Sequence, residues 1–218
     1  MKNKLKVLTS CLFATAITTN VMATEVGETY VTAGIMKVST DELDVLAASG
    51  VTIDDTDTAY TFGVGYQIDE NLSFEAGVIG ESEASATLSG SESGTLNGTS
   101  YSVSGALTIK AKTDTSYTLG MKYSSPVNEN LDIYGKAGLL FWDLKGVVAA
   151  SGTLTYGSST YSGSTSAEFY QKDGNDPYFG LGGSYKLNQT TSLDFDYIKM
   201  EVDDGDVDGL SLMVSTDF

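Results

Sequence analysis

From residue 24 onward the sequence alternates between apolar and small or polar residues in segments of about ten residues, and this period of two is its most constraining feature. Successive side chains of a β-strand point to opposite faces, so each segment would have one apolar face and one small or polar face. No apolar stretch in this region is long enough for a transmembrane helix, which needs about 20 apolar residues. Strands can cross lipid only when every backbone group is hydrogen-bonded internally, which a closed barrel achieves.

Eight such segments can be recognised, and the sixth is the clearest, because Phe179, Leu181 and Tyr185 alternate with glycine, serine and lysine. The predicted fold class is all-β: an eight-stranded antiparallel up-and-down transmembrane β-barrel. The small and charged residues should face its lumen, because eight strands enclose room only for packed side chains. The segments span residues 28–38, 58–68, 72–82, 114–124, 131–145, 177–187, 191–201 and 208–218.

The connections between the segments alternate in length. Short ones follow the second, fourth and sixth segments, at residues 69–71, 125–130 and 188–190, and long ones follow the first, third, fifth and, less markedly, seventh. Short periplasmic turns and long outer loops are typical of outer-membrane barrels. With an even number of strands, both termini are expected on the periplasmic side.

The first 23 residues have the pattern of an export signal. Lys2, Lys4 and Lys6 precede an apolar run, and Val21-Met22-Ala23 provides small or aliphatic residues before a cleavage point at Thr24. Leu8-Thr9-Ser10-Cys11 resembles a lipoprotein cleavage box, but cleavage there would leave too short an apolar core. We therefore predict a signal peptide at 1–23 and a barrel domain at 24–218.

Charge composition excludes several functions. The chain has no histidine and no arginine, and after residue 23 it would carry 9 lysines and 29 acidic residues, a net charge of −20. Such a charge disfavours nucleic-acid partners, which require clusters of lysine and arginine. Membrane barrels that act as acyltransferases, lipases or proteases resemble one another in using a histidine as the base. We accordingly expect no enzymatic activity and no cofactor.

A repeated motif surrounds the short turns. A strand with glycine and a tyrosine, at Tyr66, Tyr123 or Tyr185, leads through the turn to a leucine-led strand. Each tyrosine lies where an aromatic belt would meet the periplasmic headgroups. With eight strands and a terminal Phe218, the sequence resembles the small outer-membrane barrels of the OmpA, OmpX and opacity-protein type.

This resemblance implies that the barrel assembly machinery reads the end of the last strand. Phe218, Val214, Leu212 and Leu210 match the alternating aromatic and apolar ending of such barrels. Thr216 departs from it, since a bulky apolar residue is usual there.

Charged residues on the lumen-facing parity form the main candidate site. If the second short turn centres on Val127, Lys122 should lie opposite Asp132, and if the third centres on Thr190, Lys186 should lie opposite Asp194. Glu75 is expected beside Lys122, with Lys136 and Asp196 in a layer above. Buried charges are tolerated only when paired, so these seven residues are predicted to lock the lumen as a static network. A gate for small ions is the alternative.

Two further patterns are weaker. Asp204, Asp206 and Asp208 match the start of a calcium-binding loop, but Ser215 occupies the position of the required glutamate, which excludes an EF-hand. An acidic solvated turn is favoured over a weak divalent-cation site. Lys37, Lys145 and Lys199 share the lipid-facing parity near the outer ends of their strands. There they could contact lipopolysaccharide phosphates, or simply be solvated lysines.

The two longest outer loops have a distinctive composition. Residues 83–112 and 146–175 are rich in serine, glycine, threonine and tyrosine, and their alternation predicts hairpins that rise above the membrane. Hairpins with exposed edges suit adhesion or pairing with an extracellular ligand. The predicted function is therefore structural or surface-interacting, within outer-membrane lipid and lipopolysaccharide, and a narrow channel for small ions or solutes is the alternative.

Overall fold

The computed structural model describes residues 26–41, 43, 46 and 50–218. The expected signal peptide and its cleavage point lie outside the described residues. Among the residues that are described, no helix is long and apolar enough to cross a membrane.

Eleven strands make up the described chain, and all their pairings are antiparallel. They are β1 (Thr29–Thr40), β2 (Val51–Asp54), β3 (Thr56–Gln67), β4 (Leu72–Ile79), β5 (Ser82–Leu96), β6 (Thr99–Thr113), β7 (Ser116–Asn128), β8 (Leu131–Tyr156), β9 (Ser159–Lys186), β10 (Thr191–Val202) and β11 (Gly205–Asp217).

Eight of these strands form a closed ring in the order β1, β3, β4, β7, β8, β9, β10 and β11. The ring closes through β1 and β11, from Tyr30 opposite Asp217 to Thr40 opposite Val207. The start of β1 and the end of β11 lie at the same end of the ring as the three short turns. The eight-stranded antiparallel barrel predicted from the sequence is confirmed.

The three additional strands belong to the segments expected as outer loops. The upper half of β8 leaves β7 and pairs with β6, while β5 pairs with β6 and β2 pairs with β5. Together with the outer half of β9, they form a sheet that continues the barrel wall upward. We call residues 84–96, 99–111, 146–156 and 159–167 the protruding sheet. The hairpins were predicted, but their union into one sheet was not.

Side-chain parity separates the lumen from the lipid side around the ring. In β3, Tyr60, Phe62, Val64 and Tyr66 are exposed outward, whereas Ala59 and Gln67 are buried inside. Two rows of outward tyrosines bound the apolar band, as aromatic belts do in membrane barrels. The periplasmic row contains Tyr66, Tyr123 and Tyr185, and the outer row contains Tyr60, Tyr117 and Tyr197.

The second short turn is tighter than the sequence suggested. β7 continues through Pro126 to Asn128, with one irregularity, and only Glu129 and Asn130 connect it to β8. β4 pairs with β7 only as far as Tyr123, so at Pro126 β7 has a single neighbouring strand. A proline, which has no N–H to donate, is tolerated at such an edge position.

Candidate functional site: the lumen and the protruding sheet

The centre of the lumen holds a four-membered charge cluster contributed by β4, β7, β8 and β10. Lys136 Nζ lies 3.1 Å from Glu75 Oε2 and 3.1 Å from Asp196 Oδ2, and Lys122 Nζ lies 3.3 Å from Glu75 Oε1. Asp196 is fully enclosed. Two cations and two carboxylates therefore balance, as buried charges require.

Tyrosines complete the coordination of this cluster. The Tyr30 hydroxyl donates to Glu75 Oε1 at 2.6 Å, and the Tyr134 hydroxyl donates to Asp196 Oδ1. Lys122 Nζ also lies 4.5 Å from the centre of the Tyr30 ring and 5.0 Å from that of Tyr134, within cation–π range. Each carboxylate thus receives a hydrogen bond as well as an ion pair, which fixes its orientation.

Glycines provide the space for the tyrosine rings. A Cβ atom on Gly65 would lie 2.0 Å from Tyr30 Cζ, and one on Gly182 would lie 2.4 Å from Tyr134 Cε2. These approaches are far shorter than van der Waals contact, so only glycine fits opposite each ring. The glycine parity in β3 and β9 is therefore a packing requirement of the charge cluster.

A second group lies nearer the periplasmic end of the lumen. Lys186 Nζ is 3.2 Å from Asp132 Oδ2 on β8, and Asp194 Oδ1 accepts hydrogen bonds from Ser184 at 2.5 Å and Ser192 at 3.0 Å. These residues line a polar vestibule of about 540 Å³ that also reaches Lys122. Water can reach Lys186, whose side chain is about one-third exposed.

All seven charged residues singled out from the sequence lie in the lumen, but two expected pairings are wrong. Lys122 lies opposite Lys136, not Asp132, because these strands pair about Glu129 instead of about Val127. Lys186 lies opposite Ser192, and Asp194 lies opposite Ser184, because the third turn centres on Gln189 instead of Thr190. Lys136 also contacts Glu75 directly, so the expected separate layers form one cluster.

The outer part of the lumen is apolar, which the sequence analysis missed. Met36 and Leu140 are almost completely buried there, and Trp142 donates its indole N–H to Asp176 Oδ2 at 2.7 Å. The expectation of small and charged lumen residues was therefore wrong for this half. The signal was present, since Ile198 and Met200 share the parity of Asp194 and Asp196. The cluster comprises Met36, Val38, Ala59, Ile79, Leu140, Trp142, Tyr178, Ile198, Met200 and Val202.

Little open space connects the two halves of the lumen. The void between the charge cluster and the apolar cluster, lined by Tyr30, Met36, Glu75 and Lys136 among others, is about 50 Å³. On this measure a cavity needs about 10–15 Å³ to hold one water molecule, so the void has room for only a few. The described side chains thus fill the barrel centre almost completely.

The sequence matches the family of the outer membrane protein beta-barrel domain over residues 9–218. The chain belongs to this family. Its place is therefore the outer membrane of Gram-negative bacteria, and its surroundings are membrane lipid.

Similar solved structures are those of other outer-membrane barrels. OprG of Pseudomonas aeruginosa has 14% identity and a TM-score of 0.50, with 91% of this chain and 99% of that chain covered. Ail of Yersinia pestis, solved with the heparin analogue sucrose octasulfate, has 15% identity and a TM-score of 0.44, with coverages of 89% and 100%. Neisserial surface protein A has 12% identity and a TM-score of 0.40, with coverages of 87% and 97%. None of the curated protein sequences compared matches the chain.

On the lipid side of this outer-membrane barrel, the three lysines singled out earlier lie just beyond the outer tyrosine row. Lys37 is two residues beyond Ile35, which pairs with Tyr60, and Lys199 is two residues beyond Tyr197. Lys145 forms an ion pair with Asp114, and Lys199 Nζ lies 2.8 Å from Asp206 Oδ2. Lys37 has no ion pair among the described residues.

The other two sets of candidate residues lie on β11 and its preceding turn. Leu210, Leu212 and Val214 point to lipid, and Phe218 is exposed beyond the end of β11. Asp204 is in the two-residue turn, with φ of 66°, while Asp206 pairs with Lys199 and Asp208 accepts a 2.7 Å bond from Tyr197. In the described part of the chain, no group of three or more acidic side chains is arranged to hold a metal ion.

The protruding sheet of this barrel has two chemically different faces. The face with the parity of the lumen is apolar and mostly exposed, and we call it the apolar face. The opposite face carries hydroxyl groups, and we call it the hydroxyl face. The apolar face contains Leu88, Leu96, Tyr101, Val103, Leu107, Leu154, Tyr156 and Tyr161, and the hydroxyl face contains Ser89, Ser91, Ser102, Ser104, Thr153, Thr155, Ser162 and Ser164.

At the base of this sheet, the β10–β11 turn is tied to β9. Asp203, with φ of 54°, accepts hydrogen bonds from Lys172 Nζ and from the Tyr170 hydroxyl. The hydrogen bond from Lys172, followed by that from Tyr170, holds the pKa of Asp203 below its ordinary value of 3.8. This contact braces one side of the protruding sheet against the barrel rim.

Proposed function

We propose that this chain is a closed outer-membrane barrel that acts as a structural support for a surface-interaction, adhesion-like sheet. The observation that carries the proposal is the protruding sheet, which continues the barrel wall through four long strands. Its outer strand halves, in β5 beyond Leu88 and in β9 before Pro177, each pair with one neighbour. Unpaired strand edges and an exposed apolar face are features of protein-binding surfaces.

A channel is not proposed, because the lumen chemistry opposes it. Ion passage needs a continuous wet path, whereas here the charge cluster is internally neutralised and the outer lumen is packed with apolar side chains. The same charge cluster supports a structural role, in which it holds the barrel in one closed conformation. The proposed function is non-catalytic.

Three further roles, in export, in assembly and in lipopolysaccharide binding, belong to this proposal. Residues 1–23 serve as a cleaved signal peptide, and Leu210, Leu212, Val214 and Phe218 are read by the assembly machinery. Lys37, Lys145 and Lys199 contact lipopolysaccharide, supported by their place at the outer rim. Lys37 is the strongest of the three, because carboxylates already neutralise the other two.

The adhesion-like role can be tested by shortening the sheet in register. Removing 89–106 and 151–164, each replaced by an Asn-Gly turn, joins the strands where Leu88 faces Leu107 and Ala150 faces Thr165. Cells with this variant should attach to immobilised extracellular-matrix protein and to glass no better than cells without the chain. Heat-modifiable migration on gels controls for barrel folding. Attachment equal to that of the intact protein would contradict the proposal.

A further inference from the structure

Beyond its base, where Leu43 packs against Ala84 and Ala86, the apolar face of the protruding sheet is uncovered among the described residues. Leu107 is 45% exposed, Val103 44% and Leu154 42%, although they lie in the middle of adjacent strands. Contiguous exposed apolar surface of this kind usually marks an interaction site. It is not lipid-facing, because it stands beyond the outer tyrosine row and has the parity of the lumen.

The same region is nearly free of charge. The protruding sheet contains two charged residues, Glu92 on the apolar face opposite Val103 and Lys110 on the hydroxyl face, in a chain that carries a net charge of −20 after its expected signal. Two copies of such an acidic chain repel each other wherever their charged surfaces meet. At physiological ionic strength this repulsion decays over about 8 Å. The tip of the sheet is therefore the part of the chain at which a second copy meets the least repulsion.

The shape of the face permits close approach of another sheet. Gly90, Gly105, Gly152 and Gly163 lie in register across all four strands, so the middle of the face has no side chains. The rows on either side could then interdigitate with those of a second sheet. They contain Leu88, Leu107, Ala150 and Thr165 towards the barrel and Glu92, Val103, Leu154 and Tyr161 towards the tip. Packed sheets stand about 10 Å apart.

The area of the face is sufficient for a specific contact. Four strands spaced about 4.8 Å apart and about ten residues long present about 600 Å². Two such faces bury about 1,200 Å², which is at the lower end of specific protein–protein interfaces. A contact of this size is weak for one pair but becomes effective when many copies act together on two surfaces.

The direction of the face determines where the second copy can be anchored. At its base, Ala84 and Ala111 line the same cavity as Val202 and Val207 from the other side of the ring, so the face overlies the barrel mouth. A second copy in the same membrane could reach this face only by placing its own barrel where the first one stands. A copy in a facing membrane meets no such obstacle.

We propose that the apolar face binds the apolar face of a second copy of this chain anchored in the outer membrane of a neighbouring cell. This inference rests on the proposed surface-interaction function and names its partner. The pair is antiparallel and two-fold symmetric. The sheet rises about 33 Å along its strands and sets the separation of the membranes. The consequence is homophilic cell–cell adhesion.

The test uses two differently labelled cell populations with truncated lipopolysaccharide, one expressing the full chain and one not. Expressing cells should form clumps from which non-expressing cells are excluded. Leu107→Glu should reduce the clumped fraction to that of non-expressing cells. The matched control is Ala106→Glu, which places the same charge at the same height on the hydroxyl face and should leave clumping unchanged. Heat-modifiable migration measures the amount of folded barrel in each case.

A charge swap tests direct contact between two copies. Leu107→Glu and Val103→Lys cells should each fail to clump alone, and clumps should return when the two populations are mixed, because the antiparallel pair brings Leu107 of one copy opposite Val103 of the other. Free entry of non-expressing cells into the clumps, or undiminished clumping by Leu107→Glu, would overturn the inference. If clumping is absent while attachment to foreign surfaces still depends on the sheet, the homophilic inference fails and the proposed function stands. If clumping and sheet-dependent attachment are both absent, the homophilic inference and the proposed function both fail.

Discussion

Lys136 is the residue on which the charge balance of the lumen depends most. It is the only lysine in the described cluster that bridges two carboxylates, Glu75 and Asp196, whereas Lys122 contacts Glu75 alone. Removing one partner of a buried pair is costly because it leaves an uncompensated charge in a low-dielectric interior.

Lys136→Met should therefore lower the free energy of unfolding by about 3–5 kcal/mol. Lys122→Met should cost clearly less, since Glu75 keeps Lys136 and the Tyr30 hydroxyl. Urea unfolding in phospholipid vesicles measures both variants, and methionine preserves the side-chain volume. Equal losses of unfolding free energy for the two variants would contradict the idea that contact with both Glu75 and Asp196 makes Lys136 more important than Lys122.

The glycine beneath Tyr134 provides a second test at single-residue resolution. A Cβ atom at Gly182 would meet Tyr134 at 2.4 Å and Asp196 Oδ1 at 2.5 Å, whereas one at the neighbouring Gly183 would lie 3.5 Å from Asp132 O, an ordinary van der Waals contact. Gly182→Ala should destabilise the barrel by about 1–3 kcal/mol through overpacking. Gly183→Ala is the matched control and should be close to neutral in the same unfolding experiment.

Among the elements, β11 has the closing role, because it joins β10 to β1. Phe218 N donates to Thr29 O at 2.8 Å, so the final residue of the sequence participates in the closing hydrogen-bond ladder while its ring points away from the barrel. The Phe218 ring is exposed and packs little against the other described residues. This exposure supports the proposal that the assembly machinery reads Phe218.

Phe218→Ala should reduce the folded, heat-modifiable protein in the outer membrane while leaving export to the periplasm unchanged. Phe179→Ala is the control, since Phe179 is also an outward and exposed aromatic residue, located on β9. Fractionation followed by gels without heating distinguishes the two. Equal losses would attribute the effect to lipid contact, and normal levels of Phe218→Ala would falsify the assembly role.

The β10–β11 turn offers a pH-dependent contact with β9. The hydrogen bond from Lys172 lowers the pKa of Asp203 from its ordinary value of 3.8. The contact therefore stabilises the turn fully at pH values above 3.8, and it is lost only as the pH falls through the lowered pKa. The carboxyl ¹³C shift of Asp203 should therefore titrate below pH 3.8. Lys172→Ala should move the midpoint upward, and a midpoint that does not move would contradict this account.

The whole molecule consists of a filled barrel and a sheet that extends one side of its wall. The charge cluster and the apolar cluster lie one above the other along the barrel axis, and the void between them is about 50 Å³. The centre and outer half of the lumen are thus filled by side chains, which suits a support for the protruding sheet.

Purified and refolded protein should show no conductance steps above baseline in planar lipid bilayers. Ions would have to displace both the paired charges and the apolar side chains to cross. A porin recorded in the same bilayers serves as the positive control for detection. Reproducible steps with the intact chain would favour a channel over the structural role.

The sequence by itself determined the barrel, because the period of two is a local property of the chain. Once each strand has one apolar face and no helix can replace it, closure in lipid follows from backbone hydrogen bonding. The lumen side of Glu75, Lys136 and Asp196 could be predicted for the same reason, since parity assigns every residue of a strand to a face.

Only the tertiary structure decided which residues meet. A hairpin centre two residues later than expected moved the partner of Lys122 from Asp132 to Lys136, because the register of a hairpin depends on turn geometry that composition leaves open. The apolar outer lumen arises because side chains from β1, β8 and β10 meet across the barrel. The protruding sheet likewise required β8 to exchange β7 for β6, a long-range choice that no local pattern in the chain encodes.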